Sequence, residues 1–387
     1  MKLPSIILPK LPPRLLHGHP WIYSNEITME TAKTLPPGGV VRVENAGGRF
    51  FALAHFNPHS LIAARVLTRE EEEIGVPFWK ARLKQALALR EVLFSEPYYR
   101  LAHSEADGLP GLIMDRFGDV VVIQANSAGM HEARRDILQA LDEVISPRAV
   151  LLRGDAPARV LEGLPQENEI LKGSIPARVE LRENGVVYLA DLQEGQKTGW
   201  FYDQRRNRAL AAELSNGRKV LDLFSHSGGF GLLAAKVGAA SVLCVDSSKP
   251  ALALAEEAAK KNNVPGVTFL TEDVFDFFGK NDETYGVVIA DPPPFARSKK
   301  DVGAALRGYR KLAKLSAARV EAGGSLFLFS CSHAILRERF DEECLHGVAD
   351  AGRRARILAR TGADMDHPLH PQLPESAYLK GLLLALE

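Results

Sequence analysis

Apolar and polar positions follow three different rhythms along the chain, and the changes divide it. Over residues 1–72 the apolar runs are short and broken by turn residues. "GGVVRVENAGGRFFALAHFNPHSLIAARVL" holds two β-rich runs on either side of Asn45-Ala46-Gly47-Gly48, a hairpin signal. Upstream, Trp21 and Tyr23 alternate onto one side of "HGHPWIYSNEI". A small β-barrel is the expectation. The charge run "REEEEIG" at 69–75 predicts a solvated boundary. Residues 73–185 read as an α+β block. Phe78, Leu83, Leu87 and Leu89 predict a helix over 77–95, and "GLPGLIMDRFGDVVVIQ" predicts strand, turn and strand about Phe117-Gly118-Asp119. A helix near 130–145 and strands near 149 and 178 complete the block.

From 186 to 387 strands alternate with helices, which predicts a parallel, doubly wound sheet. The strands are "KVLDLF", "SVLCVD", "VTFLTED", "YGVVIAD" and "SLFLFSC", with helices such as "PALALAEEAAKKNN" between them. "ARILARTG" and "AYLKGLLLALE" predict a final antiparallel pair.

Composition narrows the function classes. Lys plus Arg number 48 and Asp plus Glu 48, so the formal net charge is zero and any nucleic-acid contact must come from local patches. The three cysteines, Cys244, Cys331 and Cys344, form no CxxC pair. This argues against a disulfide framework or a cysteine-rich zinc site, and a reducing cytoplasm is the expected location. The start "MKLPSIILPKLPPR" has no apolar core of the kind a signal peptide needs. No apolar run approaches the roughly 20 residues that span a bilayer. No metal and no membrane partner are expected.

In an open parallel sheet, ligands bind beyond the carboxyl ends of the strands. Five successive predicted strands end there in a polar or reactive group: Asp222, Asp246, Asp273, Asp291 and Cys331. Any one aspartate after a strand is often only a helix N-cap. All five at one edge suggest a site. The first strand runs into "SHSGGFG", where Gly228, Gly229 and Gly231 permit a tight turn at a helix N-terminus. This is not the GxGxxG dinucleotide pattern. Asp246 stands where a carboxylate accepts from two ribose hydroxyls, and Asp273 is placed to meet an adenine amino group. The set suits an adenosine ligand without pyrophosphate, such as S-adenosylmethionine; NAD is the competing reading.

"ADPPPF" fixes a stiff loop with Asp291 at its base and Phe295 at its tip, suited to a planar nitrogenous base. Alone, a strand-end cysteine is usually a small core residue. Beside a methyl donor and an aspartate, Cys331 has a further use. Carbon 5 of a pyrimidine is a poor nucleophile until a thiolate adds to carbon 6. Asp291 would then bind ring N3 and the neighbouring amino group. The base that removes the carbon-5 proton is not named by the sequence; His333 is the one nearby acceptor. Cys244 and Cys344 read as structural.

Together these segments resemble the 23S ribosomal RNA cytosine-5 methyltransferases that carry an N-terminal PUA domain. "HPWIYSNEI", "EADGLPGLIMDRFGD", "DLQEGQKTGWFYDQRRNR", "VLDLFSHSGGFG", "DPPPFARSK", "RGYRKL", "FSCS" and "PESAYLKG" occur in the family's order over essentially the whole length. The resemblance implies a PUA-like RNA-binding domain at 1–72 and a central α+β domain at 73–185. It implies a Rossmann-like class I methyltransferase domain at 186–387, with a mostly parallel seven-stranded sheet. S-adenosylmethionine would be the donor, cytosine in 23S ribosomal RNA the acceptor, Cys331 the nucleophile and Asp291 its neighbour.

For the cofactor it implies Lys197, Thr198, Phe201, Asp203, Gln204 and Arg205 from the segment lying over it. From the sheet edge it adds Asp222, Phe224, Ser227, Gly228, Gly229, Asp246, Ser247, Asp273, Val274 and Asp291. For the RNA it implies Pro292, Phe295, Arg297, Lys299, Arg307 and Tyr309. Lys300, Arg310, Lys311 and Lys314 extend the basic stretch, though the helical ones read equally well as a solvated face. Two departures stand out. Ser225-His226-Ser227 replaces a commoner Cys/Ser-Tyr-Thr run, and Pro294 often corresponds to a lysine.

Three other functions compete. A ribosomal RNA guanine-N7 methyltransferase shares the "EGQKTG" and "DPP.F" motifs but needs no thiol, because its ring nitrogen is already nucleophilic. A non-catalytic RNA-binding or ribosome-assembly factor would not need Asp222, Asp246, Asp291 and Cys331 together. A small-molecule methyltransferase would have no use for the N-terminal barrel. The oligomeric state, including a homodimer, is left open.

Overall fold

The computed structural model describes residues 3–195, 198–296 and 298–387. The chain divides into two compact units. The first comprises Met1–Ala177, Asp191–Trp200 and Met365–Ser376; the second comprises Arg178–Ala190, Phe201–Asp364 and Ala377–Glu387.

Two five-stranded sheets build the first unit. One joins β1 (Ser5–Leu8), β2 (Trp21–Ile22), β3 (Val40–Asn45), β4 (Phe50–Phe56) and β5 (Ala64–Thr68) in the order β1-β3-β4-β5-β2. Alternate residues of these strands, Ile6 and Leu8, Val41 and Val43, Ala52 and Ala54, share one core. The β3–β4 turn is held by Asn45, whose Oδ1 accepts from the backbone of Gly47 and Arg49, both at 3.0 Å, while Gly48 takes φ +74°. The second sheet contains β6 (Tyr98–His103), β7 (Leu112–Phe117), β8 (Val120–Ala125), β9 (Ala149–Leu152) and β10 (Glu169–Lys172), ordered β10-β9-β8-β7-β6. The helix Val76–Leu93 buries Phe78, Trp79 and Leu83 in this sheet's core. It also buries Arg90, whose guanidinium donates to both carboxylate oxygens of Asp107.

The second unit opens with the hairpin β11 (Val179–Glu183) and β12 (Val186–Ala190). Asn184 and Gly185 between them have φ +51° and +76°, the backbone sense that matches strand twist in a two-residue turn. Seven further strands form the large sheet: β13 (Lys219–Leu223), β14 (Ser241–Asp246), β15 (Val267–Thr271), β16 (Tyr285–Ala290), β17 (Val320–Ser330), β18 (Ala355–Thr361) and β19 (Lys380–Leu386). Their order is β15-β14-β13-β16-β17-β19-β18. β13 to β17 are parallel, and β19 lies antiparallel to both neighbours.

Every residue of β16 is buried, as expected of a central strand covered on both faces. The chain winds outward from β13 through β14 to β15, then returns to place β16 on the other side of β13. The crevice beyond β13 and β16 is therefore the topological switch point, where such sheets hold ligands. Among the described residues, no helix is long and apolar enough to cross a membrane.

Candidate active site

The polar groups expected at the sheet edge do lie at the carboxyl ends of β13 to β17, but they are engaged in different ways. Asp222 sits within β13 and is 1% exposed. Its Oδ2 accepts from the backbone N–H of Gly231 at 2.8 Å, which ties the strand to the helix Gly229–Lys236. Its Oδ1 has no hydrogen-bond partner among the described residues. Burial raises its pKa to about 7; the Gly231 bond opposes the rise, and the Asp291 charge adds to it.

The turn between β13 and that helix is built for close approach. Phe224, His226 and Gly228 all have positive φ (+59°, +50° and +78°). A Cβ on Gly231 would stand 2.4 Å from Cys244 Sγ, and one on Gly229 would stand 2.5 Å from Arg208 Nε. Glycine is therefore required at both positions by the packing of the turn itself. The buried Tyr188 hydroxyl donates to the Gly229 carbonyl at 3.0 Å. Ser227 is 1% exposed, with its Oγ 3.1 Å from His226 Nδ1.

Asp246, ending β14, braces the same loop. Its Oδ2 accepts from His226 N–H at 2.8 Å and its Oδ1 from Ser248 N–H at 2.7 Å. Each oxygen keeps a lone pair for a further donor. Ser247 beside it is exposed. Asp273 is exposed and caps the helix Val274–Lys280, its Oδ1 accepting from Phe275 N–H at 2.8 Å and Asp276 N–H at 3.3 Å. Val274 is buried.

The segment Phe201–Arg205 lies beside the glycine turn, the Phe201 ring meeting His226 edge-on at 5.4 Å. Asp203 accepts from the Tyr378 hydroxyl at 2.5 Å, and Gln204 Oε1 accepts from Asn207 at 2.6 Å. Arg205 lies over the Tyr202 ring, 5.3 Å from its centroid. Thr198 belongs to the first unit, where it is buried and its hydroxyl reaches the Trp200 carbonyl at 3.5 Å. Lys197 and Arg297 fall outside the described residues.

β16 and β17 are direct neighbours, with Ala290 in register with Leu328. Asp291 follows the end of one and Cys331 the end of the other, and both are half-buried. Cys244 and Cys344 are buried, and burial pushes both thiols well above the ordinary value. Three hydroxyls tie the end of β17 to the loop that follows β16. Ser330 Oγ donates to the Tyr309 hydroxyl at 2.9 Å, Tyr309 OH lies 3.0 Å from Ser332 Oγ, and Ser332 Oγ accepts from Ala296 N–H at 3.3 Å.

Phe295 is not a free aromatic tip, because its ring lies against Tyr309 with centroids 4.7 Å apart. Tyr309 itself is 1% exposed, so both its ring and its hydroxyl serve the loop. Pro292 is buried and Arg307 exposed. Lys299 starts a short 3-10 turn ahead of the helix Val302–Ala317. On that helix Arg310 is paired with Asp350 at 2.7 Å, and Lys311 covers the Phe275 ring.

One group was not marked by the sequence reading. Lys380, first residue of β19, is 3% exposed and donates from Nζ to the carbonyls of Ser332 at 2.8 Å and Tyr378 at 2.7 Å. Its only signal was a charged residue opening an otherwise apolar strand.

Comparison with known proteins fits this geometry. Residues 165–384 match the family described as S-adenosylmethionine-dependent methyltransferase, and residues 6–69 match the PUA-like domain. A solved methyltransferase complexed with SAH shares the fold at TM-score 0.83 and 22% identity, covering 100% of both chains. An S-adenosylmethionine-dependent methyltransferase from Streptococcus mutans does so at 0.82 and 21%, covering 99% of this chain and 100% of its own. The class is therefore that of the methyltransferases that use S-adenosylmethionine.

Ribosomal RNA large subunit methyltransferase I of Photobacterium profundum is 37% identical over 377 residues, 95% of either chain. That of Aeromonas salmonicida is 36% identical over 380 residues, 96% of either. The chain belongs to this family of PUA-containing, S-adenosylmethionine-dependent methyltransferases. The site suits such a donor: Asp246 keeps lone pairs for further donors at the switch point, and Asp222 has a buried oxygen without a partner among the described residues.

Proposed function

We propose that the protein methylates carbon 5 of a cytosine in 23S ribosomal RNA through a transient bond to Cys331. The observation that carries this reading is the placement of one half-buried thiol, one residue past β17, beside the strand that Asp291 follows. The other two cysteines are sealed in the core. Ring-nitrogen methylation has no use for that thiol, so the guanine-N7 reading leaves it unexplained.

S-adenosylmethionine supplies, when bound, an electrophilic methyl group on a positive sulfur. Asp246 and Asp222 would face its hydroxyl and cationic groups, and the turn 225–231 would give it backbone contacts. Cys331 Sγ adds to carbon 6 of the base, forming the S–C6 bond while the C5=C6 electron pair moves toward carbon 5. A proton held between Asp291 and ring N3 takes up that charge, so the adduct stands as the N3-protonated base. Once carbon 5 carries the methyl group, a base removes its remaining proton. The C5=C6 bond re-forms, and the S–C6 pair returns to Cys331.

RNA contact is supported by Arg307 and by the basic stretch at the proline loop, with the PUA-like unit supplying shape recognition. The three-part division at 72 and 185 remains our reading of the chain's modules, and the reducing cytoplasm its expected location. The test is trapping. RNA substituted with 5-fluorocytidine should form a protein adduct that survives denaturation, because fluorine cannot leave as the carbon-5 proton does. Cys331→Ser should abolish both adduct and methylation. A Cys331→Ser protein that still methylates would sink the cytosine reading and restore the guanine-N7 one.

A further inference from the structure

Lys380 is buried without an acidic partner. Taking an ammonium out of water is unfavourable unless something compensates it. Two carbonyl oxygens, those of Ser332 and Tyr378, do part of that work. No carboxylate acts on it among the described residues. The place chosen for this cation is specific. β19 pairs Lys380 with Ser330, the residue before Cys331, while Nζ is bonded to Ser332, the residue after it. The turn that presents the thiol is thus clasped on both sides by one lysine.

We propose that Lys380 is a positioning residue for the reaction, its ammonium stabilising Cys331 as the thiolate and fixing the turn that carries it. This rests on the reading of Cys331 as the nucleophile. Ionisation releases the thiol proton to solvent and leaves the electron pair on Sγ. Lys380 keeps its three protons and forms no bond to the substrate. Burial pushes Lys380 down to about 8, and a negative Cys331 pushes it back up. By linkage the ammonium lowers the thiol by the same interaction.

Other groups pack around the turn. Arg337, from the helix Arg337–Asp350, donates to the carbonyls of Gly381, Thr361 and Leu379 and adds positive charge. Tyr309 is held neutral by burial. His333 stacks on Tyr378. Asp291, just past the end of the adjacent strand, carries negative charge that opposes ionisation.

The experiment follows alkylation of the full-length protein by iodoacetamide, read by peptide mass spectrometry from about pH 5.5 to 9.5. Cys331 is the one cysteine of the three that is not buried, so its rate is separable. The wild-type rate should titrate with a midpoint below the ordinary thiol value of about 8.5. Lys380→Met should raise that midpoint and slow alkylation at pH 7 by roughly tenfold, with Lys380→Arg recovering most of the loss. A wild-type midpoint at or above 8.5 overturns the proposal, and that result needs no variant to fold. So does a Lys380→Met profile that coincides with wild type. Trapping separates the two ideas. If Cys331→Ser still forms the 5-fluorocytidine adduct, the nucleophile is wrong. If adduct formation needs Cys331 but the thiol titrates normally, only the role of Lys380 falls.

Discussion

In the first unit Arg90 is completely buried, yet its guanidinium is well served. It donates to both oxygens of Asp107 at 2.6 and 2.7 Å and to the carbonyls of Arg100 and Asp366, each at 2.9 Å. Asp107 in turn accepts from His103 N–H at 2.6 Å. In the second unit Asp222 is as deeply buried, but one of its oxygens has a single N–H and the other has no partner among the described residues. Lys380 there donates to two backbone carbonyls and to no carboxylate among the described residues. Buried charge that is fully paired holds a fold together, because removing either partner strands the other. Buried charge left incompletely paired is maintained against its own desolvation, as functional sites tend to be.

The sharpest way to break this contrast is Asp107→Ala. It strands Arg90 and should destabilise the protein by about 3–5 kcal/mol, measured by denaturant unfolding. A loss below ~1 kcal/mol would mean that the network is not structural.

Next is Gly231→Ala, whose Cβ collides with Cys244 Sγ and crowds Asp222 Oδ2 at 3.1 Å. A loss of about 1–3 kcal/mol is expected, together with weaker S-adenosylmethionine binding by calorimetry.

Asp222→Asn tests the unsatisfied carboxylate. Its folded value, about 7, lies above the ordinary 3.8. The group therefore contributes most to stability at low pH, and that contribution is lost as pH rises through about 7. The ligand-free Asn variant should melt a few degrees above wild type near pH 8, with the gap closing toward pH 4. It should also bind S-adenosylmethionine roughly tenfold more weakly. A higher melting point with unchanged binding would remove Asp222 from the cofactor site.

The smallest effect belongs to Asp273→Ala. Loss of an N-cap should cost about 1 kcal/mol, and unchanged S-adenosylmethionine affinity would assign Asp273 to the helix alone.

Period and punctuation made much of the fold legible. The two runs around Asn45–Gly48, the helix at Val76–Leu93 and the five strands from "KVLDLF" to "SLFLFSC" carry their own periodicity, and the structure contains them. The pairing of β16 with β17 puts Asp291 and Cys331 at neighbouring strand ends. Less legible was what each polar side chain does with its hydrogen-bonding capacity. Asp273 and Asp222 look alike after their strands, yet one is an exposed cap and the other a buried group with an open oxygen. Phe295 reads as a projecting aromatic until Tyr309, fourteen positions along, is found against its face.

Local sequence alone determined the strand and helix segments, the glycine turn after β13 and the row of reactive groups at the strand ends. These depend on period, on backbone sterics and on the direction in which each strand runs. Only the tertiary structure decided that Lys380, almost fifty residues from Cys331 along the chain, shares its turn. An antiparallel strand can bring distant residues into register, and the energy of a charge depends on how much water and which dipoles remain around it.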